Sequence, residues 1–326
     1  MASSTLTLDQ LLASGLQSVD PVLFTLGLAT FTHDNFTRVI PAKPIDGIHD
    51  IYMRETTRPT VSLNSVSEAV TESQAVRTRY TKEVGHLHAQ LSLDDKIIMG
   101  HNLGSGRAWP EQLDLAGLEI ARKWGYYVAE GNASTDADIE GLRYLANNAG
   151  SSQKYVAATT TTGASLTTVI LDKMLEKLAF KNQPAAFVMC QAHLTDYKQV
   201  VQANGALPTI EFQDDFGRFN SQAPLNIPSY AGVPIFTSDH IAVETTYSGG
   251  SKYRIYLVSL GPQGLRYFYP KTDKRGRPTA LGLTMDDIHR KEGYTEDILG
   301  IHHWAGLSLL SNLGIVHAVN VKITNT

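Results

Sequence analysis

From Gly47 to about Ser92 the chain carries a segment with too little apolar content to fold on itself, and it constrains the architecture more than any other stretch. Ile48, Tyr52, Arg54, Thr56, Thr57, Thr60, Val61 and Val66 are mostly β-formers in a polar setting. The return leg, Val76 to Leu91, mixes charge with the same propensity through Arg77, Arg79, Tyr80, Thr81 and Val84. The pattern reads either as a long hairpin projecting from the body or as a surface loop. A bare two-stranded ribbon is marginally stable in water, so the hairpin reading demands a surface for it to lie on.

The rest of the chain is ordinary globular material. Its 326 residues, 42% hydrophobic and 18% charged, suit two domains or one with large excursions. Residues 1–45 read as an arm, with a short helix from Leu6 to Leu16 and an extended stretch around Pro41 and Pro44. Pro110 to Glu130 is the clearest element, because Leu113, Ala116, Ile120, Trp124 and Tyr127 recur at helical spacing. Gly131 supplies its stop. A second helix is predicted over Ser165 to Phe180 and a third over Ala192 to Gln202. The apolar run from Pro184 to Cys190 reads as a buried strand, and Ala231 to Phe236 as another, with Pro234 marking an edge or a bulge. Tyr253 to Leu260 and Leu265 to Tyr269, joined by Gly-Pro-Gln-Gly, are predicted to pair as a hairpin. Lys271 to Pro278 is a basic exposed turn, and the last stretch is a strand-rich return to the core. The order is mixed α+β, without the regular alternation of a doubly wound sheet.

No constellation in the chain points to catalysis. His86 and His88 would share one face of a strand, but two ligands do not make a zinc site. Ser238, Asp239 and His240 are consecutive, so they cannot stack as a triad. His302 and His303 lie in an apolar segment and read as structural. Cys190, the single cysteine, ends an apolar run and excludes a disulfide framework. The glycines from Gly100 to Gly106 lack the Lys-Ser/Thr of a phosphate loop. Metal, cofactor and catalytic residues are therefore all expected to be absent. With 28 Lys+Arg against 32 Asp+Glu the formal charge is −4, which argues against a dedicated grip on nucleic-acid phosphates. Pro21 to Phe31 is about half the ~20 residues needed to span a bilayer and no basic residue precedes it, so neither membrane span nor signal peptide is expected.

Taken in order, these features resemble the major capsid proteins of tailed phages with the Hong Kong 97 fold. The arm, the polar two-legged loop, the long helix, the 184–190 strand and a terminal helix-strand segment from Asp297 to Ile323 carry the resemblance. With them goes the phrase Tyr230-Ala-Gly-Val-Pro-Ile-Phe-Thr-Ser-Asp239, similar to one seen in many such proteins. The resemblance implies an N-terminal arm at 1–45 and an extended E-loop at 46–92. It also implies a peripheral domain at 93–150, completed by about 246–326, and an axial domain at 151–245. It implies a non-enzymatic subunit that assembles through hexamers and pentamers of itself into an icosahedral shell, assembled in the bacterial host cytoplasm and enclosing double-stranded DNA without sequence-specific binding. Portal, a separate scaffolding protein and a decoration protein are the implied partners. Arg54, Glu55, Arg58, Arg77 and Arg79 become candidate inter-subunit pairers. Lys43 and Lys82 are the only lysines before residue 95 and neither lies mid-loop, so covalent cross-linking is not expected. The same-fold alternative is an encapsulin-type compartment enclosing protein cargo, and the different-class alternative is a metabolic enzyme.

Overall fold

The computed structural model describes residues 36–57, 76–94, 108–134, 139–158, 163–179, 183–202, 209–212, 225–247, 250–261, 264–287, 289–290 and 296–323. The helix expected over Leu6 to Leu16 lies outside them. The described chain opens with strands β1 (Ala42–Ile45), β2 (His49–Thr57), β3 (Val76–Glu83) and β4 (Gly85–Asp94). Helix α1 (Ala108–Glu130) follows, about 34 Å long at 1.5 Å per residue. Pro110 falls inside its first turn, where four backbone N–H groups have no intrahelical acceptor and a proline costs none of them. Leu113, Ala116, Ile120, Ala121, Trp124, Val128 and Ala129 form its buried stripe. Gly125 lies on that stripe because His240 passes there; a Cβ at this position would fall 2.6 Å from the imidazole Cδ2.

Next come α2 (Leu142–Asn148), β5 (Lys154–Val156), β6 (Ala164–Ser165), α3 (Thr168–Lys177), β7 (Ala185–Met189) and α4 (Gln191–Gln202). The apolar run expected as a buried strand is β7, with Ala186, Phe187, Val188 and Met189 all sealed from solvent. Strands β8 (Thr209–Phe212), β9 (Leu225–Tyr230), β10 (Val233–Thr237), β11 (Thr245–Tyr247) and β12 (Gly250–Ser259) continue the chain. A two-residue turn joins β9 to β10, with Ala231 at φ 49° and Gly232 at φ 81°, the left-handed geometry such hairpins require. Pro234 pairs with Ser229 of β9 and stands just before the β7 register, which begins at Ile235; β10 is thus an interior strand whose proline lies outside the ladder to β7.

The final strands are β13 (Leu265–Pro270), β14 (Leu283–Met285), β15 (His289–Arg290), β16 (Glu296–Leu309) and β17 (Ile315–Lys322). Among the described residues they complete two large sheets. One runs β5-β17-β12-β7-β10-β9-β8, with β11 on β12 and β6 on β17. The other runs β1-β13-β16-β14, with β4 and β15 also on β16. Helices α3 and α4 bury Leu171, Met174 and Tyr197 against the first sheet, while α1 lays Leu113, Ala116 and Ile120 against β4 and β16 of the second.

Two expectations are corrected here. Segments 253–260 and 265–269 do not pair with each other: β12 lies between β17 and β7 in one sheet, and β13 between β1 and β16 in the other. The linker is a corner, not a hairpin. Leu260 N–H donates to Pro184 O, Gly264 N–H donates to Gly261 O, and a Cβ on Gly264 would lie 2.0 Å from Ser259 O. The terminal segment expected as helix and strand is instead two strands, β16 and β17, joined by a single 3-10 turn at Asn312–Gly314. Its β-branched and aromatic content, from Ile298 through Trp304 to Val321, favours that outcome.

Candidate assembly surface

The polar segment forms a two-stranded ribbon, β2 against β3, in register from His49↔Glu83 to Thr57↔Val76, with a shift after Glu55. Alternation divides its residues between two faces. Asp50, Tyr52 and Arg54 turn inward and are 1%, 5% and 4% exposed, whereas Ile51 and Met53 turn outward at 54% and 55%. On β3, Arg77, Arg79 and Thr81 are exposed while Tyr80 and Lys82 are half-buried.

The inward face is held to the body by two buried carboxylates, each gripped by two cations. Glu140 accepts from Arg54 Nη2 at 2.9 Å and from Lys82 Nζ at 2.8 Å. Asp50 accepts from Arg266 Nη2 at 2.7 Å and from Lys43 Nζ at 2.9 Å. Arg54 also donates through Nε to the Leu309 carbonyl at 2.9 Å and through Nη2 to the Tyr52 hydroxyl at 2.7 Å. Its guanidinium carbon lies 4.3 Å from the Tyr80 ring centre, and Tyr80 stacks on Tyr52. Burial pushes the Tyr52 hydroxyl up to about 12, against the opposing pull of Arg54. Doubly paired, each carboxylate recovers through charged hydrogen bonds much of what its desolvation costs.

Glycine decides where Glu140 sits. Gly141 N–H donates to Gly131 O at 3.0 Å, and a Cβ on Gly141 would lie 2.4 Å from Gly131 N. Only this close crossing brings the segment before α2 under the ribbon. At the ribbon's foot, Val84 N–H donates to Ile48 O, and the chain then enters β4, which pairs with β16 over ten positions from Gly85↔Ala305 to Asp94↔Glu296. The second half of the return leg is therefore a body strand.

Of the five ribbon residues expected to pair between subunits, Arg54 directs its guanidinium to Glu140, Tyr52 and the Leu309 carbonyl of its own chain. Arg77 and Arg79 stand exposed on the outer face. Glu55 lies opposite Arg77 in the backbone register, and Arg58 lies outside the described residues. Lys43 and Lys82 are both committed to the buried carboxylates. Glu140, Asp50 and Arg266 carried no signal in the sequence, since Glu140 is 86 positions from Arg54 and Arg266 is 216 from Asp50.

Two of the suspected groups, Cys190 and His240, pack within the body. Cys190 is buried, which pushes its thiol up and away from reactivity. His240 lies against Gly125, and its backbone N–H faces Ser238 Oγ at 3.4 Å, which is not a triad contact. Among the described residues no group of three or more His, Cys, Asp or Glu side chains is arranged to hold a metal ion. A polar cleft of about 420 Å³ opens beside the end of α1, where Arg143 is closed onto Glu130 at 2.8 Å. No described helix is long and apolar enough to cross a membrane.

No family model matches the sequence, and no curated protein matches it. Solved structures do. The holo-SrpI encapsulin complex from Synechococcus elongatus PCC 7942 superposes with a TM-score of 0.65 at 15% identity, over 100% of this chain and 94% of that one. The capsid of a native GTA particle gives 0.61 at 12%, over 88% and 90%. The capsid of cyanophage A-1(L) gives 0.60 at 13%, over 91% and 92%. The chain has the Hong Kong 97 fold.

Proposed function

We propose that this chain is a non-enzymatic shell subunit, a major capsid protein that assembles through hexamers and pentamers into an icosahedral shell enclosing phage double-stranded DNA. The observation that carries the reading is the ribbon: its inner face is bolted to its own body while its outer face presents Ile51, Met53, Arg77 and Arg79, all exposed among the described residues. Apolar side chains flanked by arginines suit a surface supplied by a neighbouring copy. In this reading the outer face of each ribbon lies on the next subunit, and one fold makes slightly different contacts in five- and six-fold rings. A portal, a separate scaffolding protein and a decoration protein would complete the particle.

The likeness to an encapsulin over the whole chain favours a second reading, a compartment enclosing protein cargo. Expression of the full chain followed by negative-stain microscopy and light scattering tests both. Closed shells, capsomers, tubes or sheets support a lattice-forming subunit, and a small dimer or tetramer that never grows overturns it. Nuclease-protected DNA inside shells from infected cells supports the phage reading; a co-purifying cargo enzyme in nucleic-acid-free shells supports the compartment.

A further inference from the structure

Beyond the ribbon's foot, β4 and β16 share a face of unusual composition. His86 pairs in register with Trp304, and His88 with His302. Their rings form one continuous stack. His86 lies on Trp304 with centroids 3.8 Å apart, His302 lies 5.1 Å from His86, and His88 lies 4.6 Å from His302. Asp286, beyond the end of β14, closes the row with Oδ2 at 2.9 Å from His302 Nε2. Leu87, Ala89 and Leu91 of β4 pack with α1 on the opposite face, so the stack faces away from the helix.

The hydrogen bonds dictate the protonation pattern. A carboxylate only accepts, so His302 Nε2 carries a hydrogen and donates to Asp286. His302 Nδ1 is then the acceptor for His86 Nε2–H, at 2.9 Å. One added proton can enter at His86 Nδ1, where Trp304 offers its ring face. A proton on His302 Nδ1 puts two N–H groups head to head, and a proton on His88 sets a second cation against the stack.

We propose that the stacked imidazoles of His86, His88 and His302 are a proton-sensitive latch between β4 and β16, closed while the rings share at most one proton and opened by a second. Among the described residues the following titratable and charged groups face the stack. β4 contributes His86 and His88, and β16 contributes His302, with Glu296 at its far end bonded to Ser92. Asp286 faces the stack, with Lys274 and Arg275 of the basic turn acting on Asp286 from outside. His303 on the other face of β16 also feels His86. Among the described residues Asp286 is the carboxylate bonded to the stack. Burial, then His302 and His88, hold His86 below the ordinary imidazole range, so the neutral stack is the folded preference and its contribution is lost as the medium acidifies. Because β4 continues directly from β3, opening the latch frees the root of the ribbon. This device belongs to the subunit and does not depend on shell assembly.

Hydrogen exchange of the full-length chain between about pH 7.5 and 5.5, corrected for intrinsic rates, tests it, with peptides covering 85–94 as the readout. The wild type should lose about tenfold more protection there than the His88→Gln/His302→Gln variant, which keeps only one of the three stacked imidazoles. Equal pH dependence in the two overturns the latch. Should that variant not fold, a fluorescence comparison decides. Charging His86 quenches the indole stacked on it, so the fluorescence difference between the wild type and Trp304→Phe should fall in this window, and a flat difference overturns the proposal.

Discussion

Replacing Arg54 by alanine should release the ribbon from the body, and the structure sets the size of the effect. The substitution removes one of two cations from Glu140, which is 3% exposed, and strips the Leu309 carbonyl and the Tyr52 hydroxyl of a charged donor. Breaking one side of a buried ion pair costs about 3–5 kcal/mol, and an orphaned carbonyl adds about 1–3. Lys82 remains 2.8 Å from Glu140 and offsets part of this, leaving a net loss of roughly 4 kcal/mol. The assay is urea unfolding of Arg54→Ala, with hydrogen exchange over 49–57 and 76–83 to localise the damage. Arg77→Ala, on the exposed face of the same ribbon, is the control and should stay within about 0.5 kcal/mol. Combining Arg54→Ala with Glu140→Gln should cost less than the sum of the two, by at least about 1 kcal/mol, because the second change removes the charge that the first left underpaired. High salt should leave the loss intact, since a buried pair is weakly screened. If Arg54→Ala costs no more than Arg77→Ala and is additive with Glu140→Gln, the ribbon is not held by this cluster and the reasoning fails.

Acid should destabilise the fold through three enclosed histidines: burial holds His193 at about 4, His303 at about 3 and His317 at about 4. A base with a depressed folded value stays neutral when folded and binds a proton only on unfolding, so stability is full above about pH 6.5 and falls as pH drops towards the folded values. From pH 7 to 5 each should forfeit roughly 2 kcal/mol, read as a lower urea midpoint at pH 5, and an unchanged midpoint would refute it. His303→Phe should flatten part of that slope. Changing Arg77 and Arg79 together to glutamate should leave circular dichroism and melting within about 2–4 °C of the wild type yet abolish closed shells in the microscope; normal shells would remove both residues from the interface. Gly125→Ala drives a methyl group into His240 and should cost about 1–3 kcal/mol, measurable as a shifted unfolding midpoint.

Much of the fold was legible in local patterns. The α1 stripe appears as apolar residues three and four apart, and β7 as a short unbroken apolar run, because each side chain's burial is set by its place in one repeating element. The corner at 259–265 was not legible. Two strands joined by a glycine-rich link resemble a hairpin from within, and only their competing partners, β17 and β7 for one and β1 and β16 for the other, show that they separate. His86 and His88 were placed on one face by alternation, but nothing nearby in sequence announced His302 or Trp304 across the ladder.

The ribbon states the division most clearly. By itself the sequence determined that residues 47–92 are polar and rich in β-formers, fit for a hairpin in need of support or for a surface loop, since β-propensity and apolar content are properties of the segment alone. Tertiary structure decided which face is spent and which is free. Arg54 and Arg79 are alike as residues, yet one is locked onto Glu140 while the other stands exposed. That difference depends on a carboxylate brought under the ribbon by the crossing of Gly131 and Gly141, and distant encounters of this kind are made only when the chain closes on itself.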